Sequence, residues 1–282
     1  MPLRLLLKIS INLLEEISLL ISSKFQLRLF IKKVSLILLL GCLSLQAHYG
    51  FPNRYYRMPS KRQKKFFFSY LAKIITKENK KILGERALVE KVLPGGILSV
   101  KTHSKYFKAF LKLRKKYKIK SFYSRIDYLK KIDLVPVSQA LAQAVVESAW
   151  GKSRFVKEAN NIFGHWTFGE VGLVPKNRDK NKKNKIQIFS SLEASVDKYL
   201  LNLNVNRAYW KFRNLRYKLR ARHEDLSGMK LSQTMYNYSG IGKKYLLILK
   251  NIIRIYKLQK YDKSHKKLYN YKNSLALSLF LK

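Results

Sequence analysis

Between Pro136 and Gly164 the chain reads PVSQALAQAVVESAWGKSRFVKEANNIFG, and Val137, Ala140, Leu141, Ala144, Val145 and Ser148 recur at spacings of three and four. That spacing lines one small-to-apolar stripe along a helix. Pro136 suits the first turn of the helix, and Gly151 suits the left-handed residue just past its end. A second short helix is predicted from Ser153, whose hydroxyl can cap it, through Phe155 and Val156. Asn160, Asn161 and Gly164 then close it in a turn.

The same reading extends in both directions. Upstream, amphipathic patterns predict helices over His103–Tyr117 and Ser121–Lys131, with short helices at 61–76 and 84–92. Downstream the period changes. Trp166-Thr167-Phe168 is short and β-prone, and Gly169, Gly172 and Pro175 break the chain. A polar run, Lys176 to Lys185, leads into the alternating Ile186-Gln187-Ile188-Phe189, so a β-hairpin lobe with a basic tip is predicted. Ser190 to Glu193 fits a capping box and opens a helix whose stripe is Leu192, Val196, Tyr199, Leu200 and Leu203. Further helical patterns lie at 207–222, 229–236 and 241–259. The fold class is α+β, mainly α.

Length and composition place this pattern in one good-sized domain with extensions: 282 residues, 47% of them apolar, suffice for a core. Residues 1–47 carry Lys32-Lys33, an apolar run from Val34 to Leu45 and then Gln46-Ala47, which reads as an export signal or a membrane anchor over 31–47. Leu39-Leu40-Gly41-Cys42 resembles a bacterial lipoprotein box, so lipidation at Cys42 is the alternative anchor. Either way the expected location is the periplasm or cell envelope. Residues 48–104 read as a basic linker or small N-terminal subdomain, 105–259 as the main domain, and 260–282 as a frayed basic tail.

Charge adds a class of partner. Lys+Arg number 59 against 16 Asp+Glu, a net charge of +43, and such a surface attracts polyanions: anionic envelope polymers, lipid headgroups or nucleic acid. The lysines are spread along the chain rather than gathered on a helix-turn-helix, zinc-finger or RNA-recognition signature, so no specific nucleic acid is expected. The one cysteine, Cys42, permits no intrachain disulfide, and the five histidines are scattered. No metal or other cofactor is expected.

The candidate chemistry centres on Glu147. It falls in the last turn of the Val137–Ser148 helix, among Ala144, Val146, Ala149 and Trp150. The negative end of the helix dipole and the apolar neighbours both disfavour a carboxylate there. A carboxyl kept protonated near neutral pH can protonate a leaving sugar oxygen. Taken alone, Glu147 is more readily a solvated face residue near a helix end. The neighbouring motifs decide.

AQAVVESAWGKSRF, NNIFG, IQIFSS before a capped helix, and the late YSGIGKKY stand in that order and resemble glycoside hydrolase family 73 over about residues 105–258. GLVP (Gly172–Pro175) and the NLNxNRAY stretch (Asn202–Tyr209) resemble the Bax-type bacterial branch of that family. The resemblance implies a lysozyme-like domain with a small β-hairpin lobe beside a glycan-binding cleft. It implies endo-β-N-acetylglucosaminidase activity on peptidoglycan strands, with Glu147 as general acid. Tyr238 matches a cleft-lining tyrosine grouped with the catalytic residues. Asn161, Phe163, Gly164, Trp166 and Tyr245 are the implied substrate-binding set, although core packing explains Phe163 equally well and Trp166 has no favoured role. Trp150 reads as core. The motif departs from the family text between Tyr238 and Tyr245, which leaves the role of Tyr238 open. A second catalytic group must come from the hairpin, where Glu170 and Asp179 are the acids present; Glu170 is the candidate and Asp179 reads as charge balance. Failing both, the substrate's own N-acetyl group would assist. The alternatives are a lytic transglycosylase using Glu147 alone and a non-catalytic basic binding module of the envelope.

Overall fold

A buried stretch of irregular chain just before the Glu147 helix determines how the other elements are arranged. In the computed structural model, which describes residues 49–176 and 183–263, the order is α1 (Asn53–Tyr56), α2 (Ser60–Val92), α3 (Lys105–Lys116), α4 (Arg125–Lys131), α5 (Val137–Ser148) and α6 (Arg154–Ala159). Strands β1 (Trp166–Thr167) and β2 (Lys185–Ile186) follow. Then come α7 (Leu192–Val205), α8 (Trp210–Ala221), α9 (Gly228–Leu231) and α10 (Lys243–Ile255), with short 3-10 turns between them. This is a mainly helical α+β, lysozyme-like architecture with a small hairpin lobe.

Helix α5 lies at the centre, in contact with α2, α9 and α10. The sequence predicts one apolar stripe on it, but every residue from Val137 to Val145 is buried, Gln139 and Gln143 included. Its alanines let neighbouring helices approach closely on all sides. Val196, Tyr199, Leu200 and Leu203 of α7 are buried as their spacing predicts.

The 61–76 and 84–92 patterns prove to be one 33-residue helix, α2. The polar run Lys77-Glu78-Asn79-Lys80-Lys81 hides this continuity, yet Glu78 and Asn79 are buried. Asn79 is polar because it serves the core. Its Nδ2 donates to the Val135 carbonyl at 2.8 Å, and the Val135 N–H donates back to its Oδ1 at 3.0 Å. Residues 51–93 therefore belong to the same hydrophobic core as α5: Phe51, Tyr55, Phe67 and Leu71 cluster with Val137 and Leu141.

Ile132–Val135 is the irregular stretch, and all four residues are buried. Buried backbone without a helical or sheet partner must find donors elsewhere. Arg86 of α2 donates to the carbonyls of Leu129 (2.7 Å) and Ile132 (3.0 Å). Arg216 of α8 donates to those of Lys130, Asp133 and Leu134 at 2.8–2.9 Å, and Asn204 of α7 adds a bond to Asp133 at 3.0 Å. The Asp133 carboxylate receives two bonds from Arg220 and lies 3.5 Å from Arg86. Burial alone would raise this carboxyl, but Arg220 and Arg86 outweigh it and hold the group well below the usual carboxylate range.

Three local boundaries differ from the sequence reading. The Ser190–Glu193 capping box does not form; Ser191 caps α7 and accepts from the Ala194 N–H, which makes Leu192 the first helical residue and turns it into the core. The 229–236 pattern is only one turn, α9, followed by 3-10 turns over Ser232–Thr234 and Tyr236–Tyr238. Gly228 explains the tight start: a Cβ there would lie 2.1 Å from the Ser138 hydroxyl. Finally, the tail is not frayed from residue 260. Asp262 accepts from the Ser138 N–H and hydroxyl (2.9 and 2.6 Å) and from the Gly228 N–H (3.1 Å), and so caps the start of α5.

The hairpin forms as predicted, but short. Trp166 pairs with Ile186 and Thr167 with Lys185, antiparallel, and Leu173 returns to bridge Ile186. No described helix is long and apolar enough to cross a membrane; the export or anchor segment, Cys42 and Asp179 lie outside the described residues.

Asp133→Asn tests the buried charge cluster. It leaves the guanidinium groups around Asp133 without their counter-charge and is expected to cost about 3–5 kcal/mol of stability in urea unfolding at neutral pH. Because the folded pKa is depressed, the stability that Asp133 contributes is present above its unfolded value of about 3.9 and is lost as pH falls from there towards the folded value. The gap between wild type and variant should therefore narrow in acid.

Candidate functional site

Glu147 is held by the way α5 ends. Ala149, Trp150 and Gly151 all have positive φ (48°, 61° and 70°), an unusual run that reverses the chain at once. Gly151, the residue predicted to be left-handed, is the third of these, and Ala149 is the helix cap. A Cβ on Gly151 would lie 2.4 Å from the Phe51 ring, so glycine is required twice over. Other bonds close the turn: the Ser148 hydroxyl donates to Ala144 O and accepts from the Gly151 N–H at 2.7 Å, and Tyr55 donates to Trp150 O. Trp150 packs edge-on against Phe67, Phe68 and Tyr256, in the core role expected of it.

Gln139, Gln143 and Glu147 stand four residues apart on α5 and form a polar ladder in an otherwise apolar helix. Opposite the ladder are tyrosines. Tyr245 of α10 donates to Glu147 Oε1 at 2.8 Å and accepts from Gln143 Nε2 at 3.2 Å. Tyr199 of α7 donates to Gln143 Oε1 at 2.7 Å. The Tyr238 ring stacks parallel to Tyr245 (centroids 5.8 Å, 5°) and lies near Tyr199 and Tyr209. Burial raises the Glu147 carboxyl above its ordinary value, and the Tyr245 hydrogen bond partly opposes the rise. Burial also raises Tyr199, Tyr209, Tyr238 and Tyr245, so all four phenols stay protonated and remain donors at ordinary pH.

The residues expected to bind substrate take different places. Tyr245 is almost fully buried and serves Glu147. Asn161 is buried and ties the turn together: it accepts from the His165 N–H and donates to the carbonyls of His165 and Gln187. Phe163 is core, stacked on Tyr199 at 3.8 Å. Gly164 has φ 68° with open space where a Cβ would point. Trp166 is half exposed on the hairpin. Glu170 is exposed in the hairpin turn, where the Lys185 ammonium donates to its backbone carbonyl. His165 is driven by burial down to about 4 and is neutral near pH 7.

The sequence reading did not single out Gln139, Gln143 and Tyr199 as site residues. The four-residue spacing of Gln139, Gln143 and Glu147 was the available signal. Among the described residues no three His, Cys, Asp or Glu side chains come together as a metal site. An open depression of about 440 Å³ is lined by Ser153–Phe155 and Pro175–Lys176.

Residues 122–258 match the family described as mannosyl-glycoprotein endo-beta-N-acetylglucosaminidase. This stretch is a glucosaminidase-family domain. Protein bax of Escherichia coli (strain K12) is 31% identical over 193 residues, a span that covers 65% of this chain and 66% of the relative. No solved structure matches the chain. The domain supports a glycan-hydrolase-like function. Helices α1–α3 precede the matched stretch but are packed into its core.

Glu147→Gln separates the burial of the carboxyl from its chemistry. A raised carboxyl pKa means that the native state binds the proton more tightly than the unfolded chain, whose value is about 4.3. Native stability therefore falls as pH rises from there through the folded pKa, and the amide escapes this loss. In thermal unfolding the variant should be more stable than wild type at pH 7.5, and the difference should close at pH 4.

Proposed function

We propose that the chain is a peptidoglycan hydrolase, an endo-β-N-acetylglucosaminidase cutting the bond after N-acetylglucosamine with Glu147 as general acid. The observation that carries this reading is the setting of Glu147: a half-buried carboxyl, raised by burial and fixed by one neutral phenol, within a glucosaminidase-family domain. Protonated, it gives its proton to the leaving glycosidic oxygen; ionised afterwards, it can take one from water. The Tyr245 hydrogen bond offsets part of the effect of burial, so that Glu147 can still release the proton. Tyr238, packed on Tyr245, holds that phenol in place. Glu170, on the hairpin turn, is the second carboxyl proposed to act across the bond.

A lytic transglycosylase is favoured by one observation: among the described residues, the side chain hydrogen-bonded to Glu147 is a phenol rather than a second carboxyl. Such an enzyme needs a single carboxyl acting as acid and then base. In either case the substrate is a glycan strand of the envelope, and the chain is proposed to reach it by export. The charge of +43 would hold it against anionic polymers there.

Digestion of purified peptidoglycan by wild type and by Glu147→Gln, read by mass spectrometry of the released fragments, decides between these. Wild type should yield reducing N-acetylglucosamine ends, and Glu147→Gln should lose on the order of 10²–10⁴ in rate. Anhydro-muramic ends would replace the hydrolase reading with the transglycosylase one. Undiminished release by Glu147→Gln would remove Glu147 as the acid.

A further inference from the structure

We infer that Gln143 and Tyr199 are positioning residues for Glu147, acting through Tyr245: together they fix the direction in which the Tyr245 hydroxyl gives its proton. The inference deepens the reading of Glu147 as general acid and rests on it for its functional meaning.

The geometry is directional. A side-chain amide has one end that accepts and one that donates. Gln143 Oε1 is engaged by the Tyr199 hydroxyl at 2.7 Å and by Gln139 Nε2 at 3.3 Å. That leaves Nε2 to face Tyr245 and donate to its oxygen at 3.2 Å. A hydroxyl has one proton, and with its oxygen already accepting from Gln143, Tyr245 turns that proton to Glu147 Oε1 at 2.8 Å. The four groups form a single chain, Tyr199 to Gln143 to Tyr245 to Glu147, in which every bond points towards the carboxyl. Chains of this kind polarise along their length.

The reverse arrangement is available, which is why a lock matters. Gln139 Oε1 is buried without a hydrogen-bond partner. If both glutamine amides turned over, Gln139 Oε1 could accept from Gln143 Nε2, and Gln143 Oε1 would face Tyr245. Tyr245 would then either give its proton to Gln143 or set its oxygen lone pairs against an amide oxygen while still donating to Glu147. Both outcomes disfavour the ionised carboxyl. In the arrangement observed the Tyr199 hydroxyl donates to Gln143 Oε1 at 2.7 Å, and that bond would be lost if the amides turned over. Tyr199 itself is fully buried, with its ring stacked on Phe163.

Among the described residues, the titratable groups that face Glu147 include Tyr199 from α7, Tyr209 and Tyr238 from the 3-10 turns, and Tyr245 from α10. All are neutral phenols, so the direction of one proton counts for more here than it would beside a fixed charge.

The test is a carbon-13 NMR titration of the Glu147 carboxyl in the full chain, in wild type, Tyr199→Phe, Tyr245→Phe and the double variant, with the pH profile of peptidoglycan release beside it. Tyr245→Phe should move the Glu147 titration up by roughly half a unit to one unit, as expected for losing a hydrogen bond to an ionised group. Tyr199→Phe should move it in the same direction although Tyr199 makes no hydrogen bond to Glu147, and the alkaline limb of the activity profile should follow. In the double variant the Tyr199 effect should vanish, because no Tyr245 proton remains to be directed. An unmoved titration in Tyr199→Phe, or shifts that add in the double variant, would overturn the inference; a merely structural role would lower thermal stability and leave the titration in place. Should Tyr199→Phe fail to fold, wild type alone decides: nuclear Overhauser contacts must place the Gln143 amide protons against Tyr245, and contacts to Tyr199 instead would sink the idea. If Glu147→Gln keeps its activity, the general-acid reading falls, while the titration still decides whether the chain of bonds exists.

Discussion

The constraint on which the structure depends is that the chain entering α5 is buried without being helix or strand. Ile132–Val135 runs through the interior, so its carbonyls must be met by donors from elsewhere. Helix α2 sends Arg86 and Asn79, α7 sends Asn204, and α8 sends Arg216 and Arg220. Guanidinium groups suit this work because one side chain carries several donors in a fixed plane, and Arg216 alone meets three carbonyls. Two buried guanidinium groups, Arg86 and Arg216, beside the partly buried Arg220 would be costly by themselves, and the Asp133 carboxylate offsets them. The cluster is thus less an addition to stability than the condition under which this segment can be buried at all.

What the segment achieves is aim. A helix held at one end can still swing, and α5 is held at both. Its start is set by the Ile132–Val135 segment and by Asp262, which reaches back from beyond α10 to cap Ser138. Its end is set by three successive positive-φ residues, by Tyr55 on Trp150 O and by Phe51 against Gly151. Glu147 is one residue from the last turn's end, so these distant contacts are what place its carboxyl against Tyr245. Residues before the family-matched stretch take part in this, because Phe51, Tyr55 of α1, and Asn79 and Arg86 of α2 supply these contacts.

The sequence showed the elements more readily than the connections between them. The α5 and α7 stripes, the Ser153 cap and the hairpin were legible because each depends on neighbours within a few residues. The continuity of α2 was not, because a polar residue that serves a distant backbone looks the same in sequence as one that faces water; Asn79 is the case in point. Asp262 was hidden for the same reason, as a lone acid in a basic run. At the site, Glu147 was singled out from its helix end and its motif, and Tyr245, expected among the substrate-binding residues, donates a hydrogen bond to its carboxyl. Asn161 and Phe163 carry a family motif, yet one organises the hairpin turn and the other packs on Tyr199. A motif marks residues that a fold needs, without saying whether the need is chemical or architectural.

The chemistry proposed for the site turns on a balance at one carboxyl. Burial drives Glu147 towards the protonated form, which an acid must be in before it acts. A carboxyl desolvated with no compensation would keep its proton and could not act, since general-acid catalysis is most effective when the pKa lies near the working pH. The compensation has to favour the anion without supplying a full positive charge, because a guanidinium or ammonium in contact would pull the pKa below its ordinary value, as Arg220 and Arg86 do at Asp133. A neutral phenol meets that requirement. It contributes one hydrogen bond, and burial keeps it protonated well beyond the range in which Glu147 titrates.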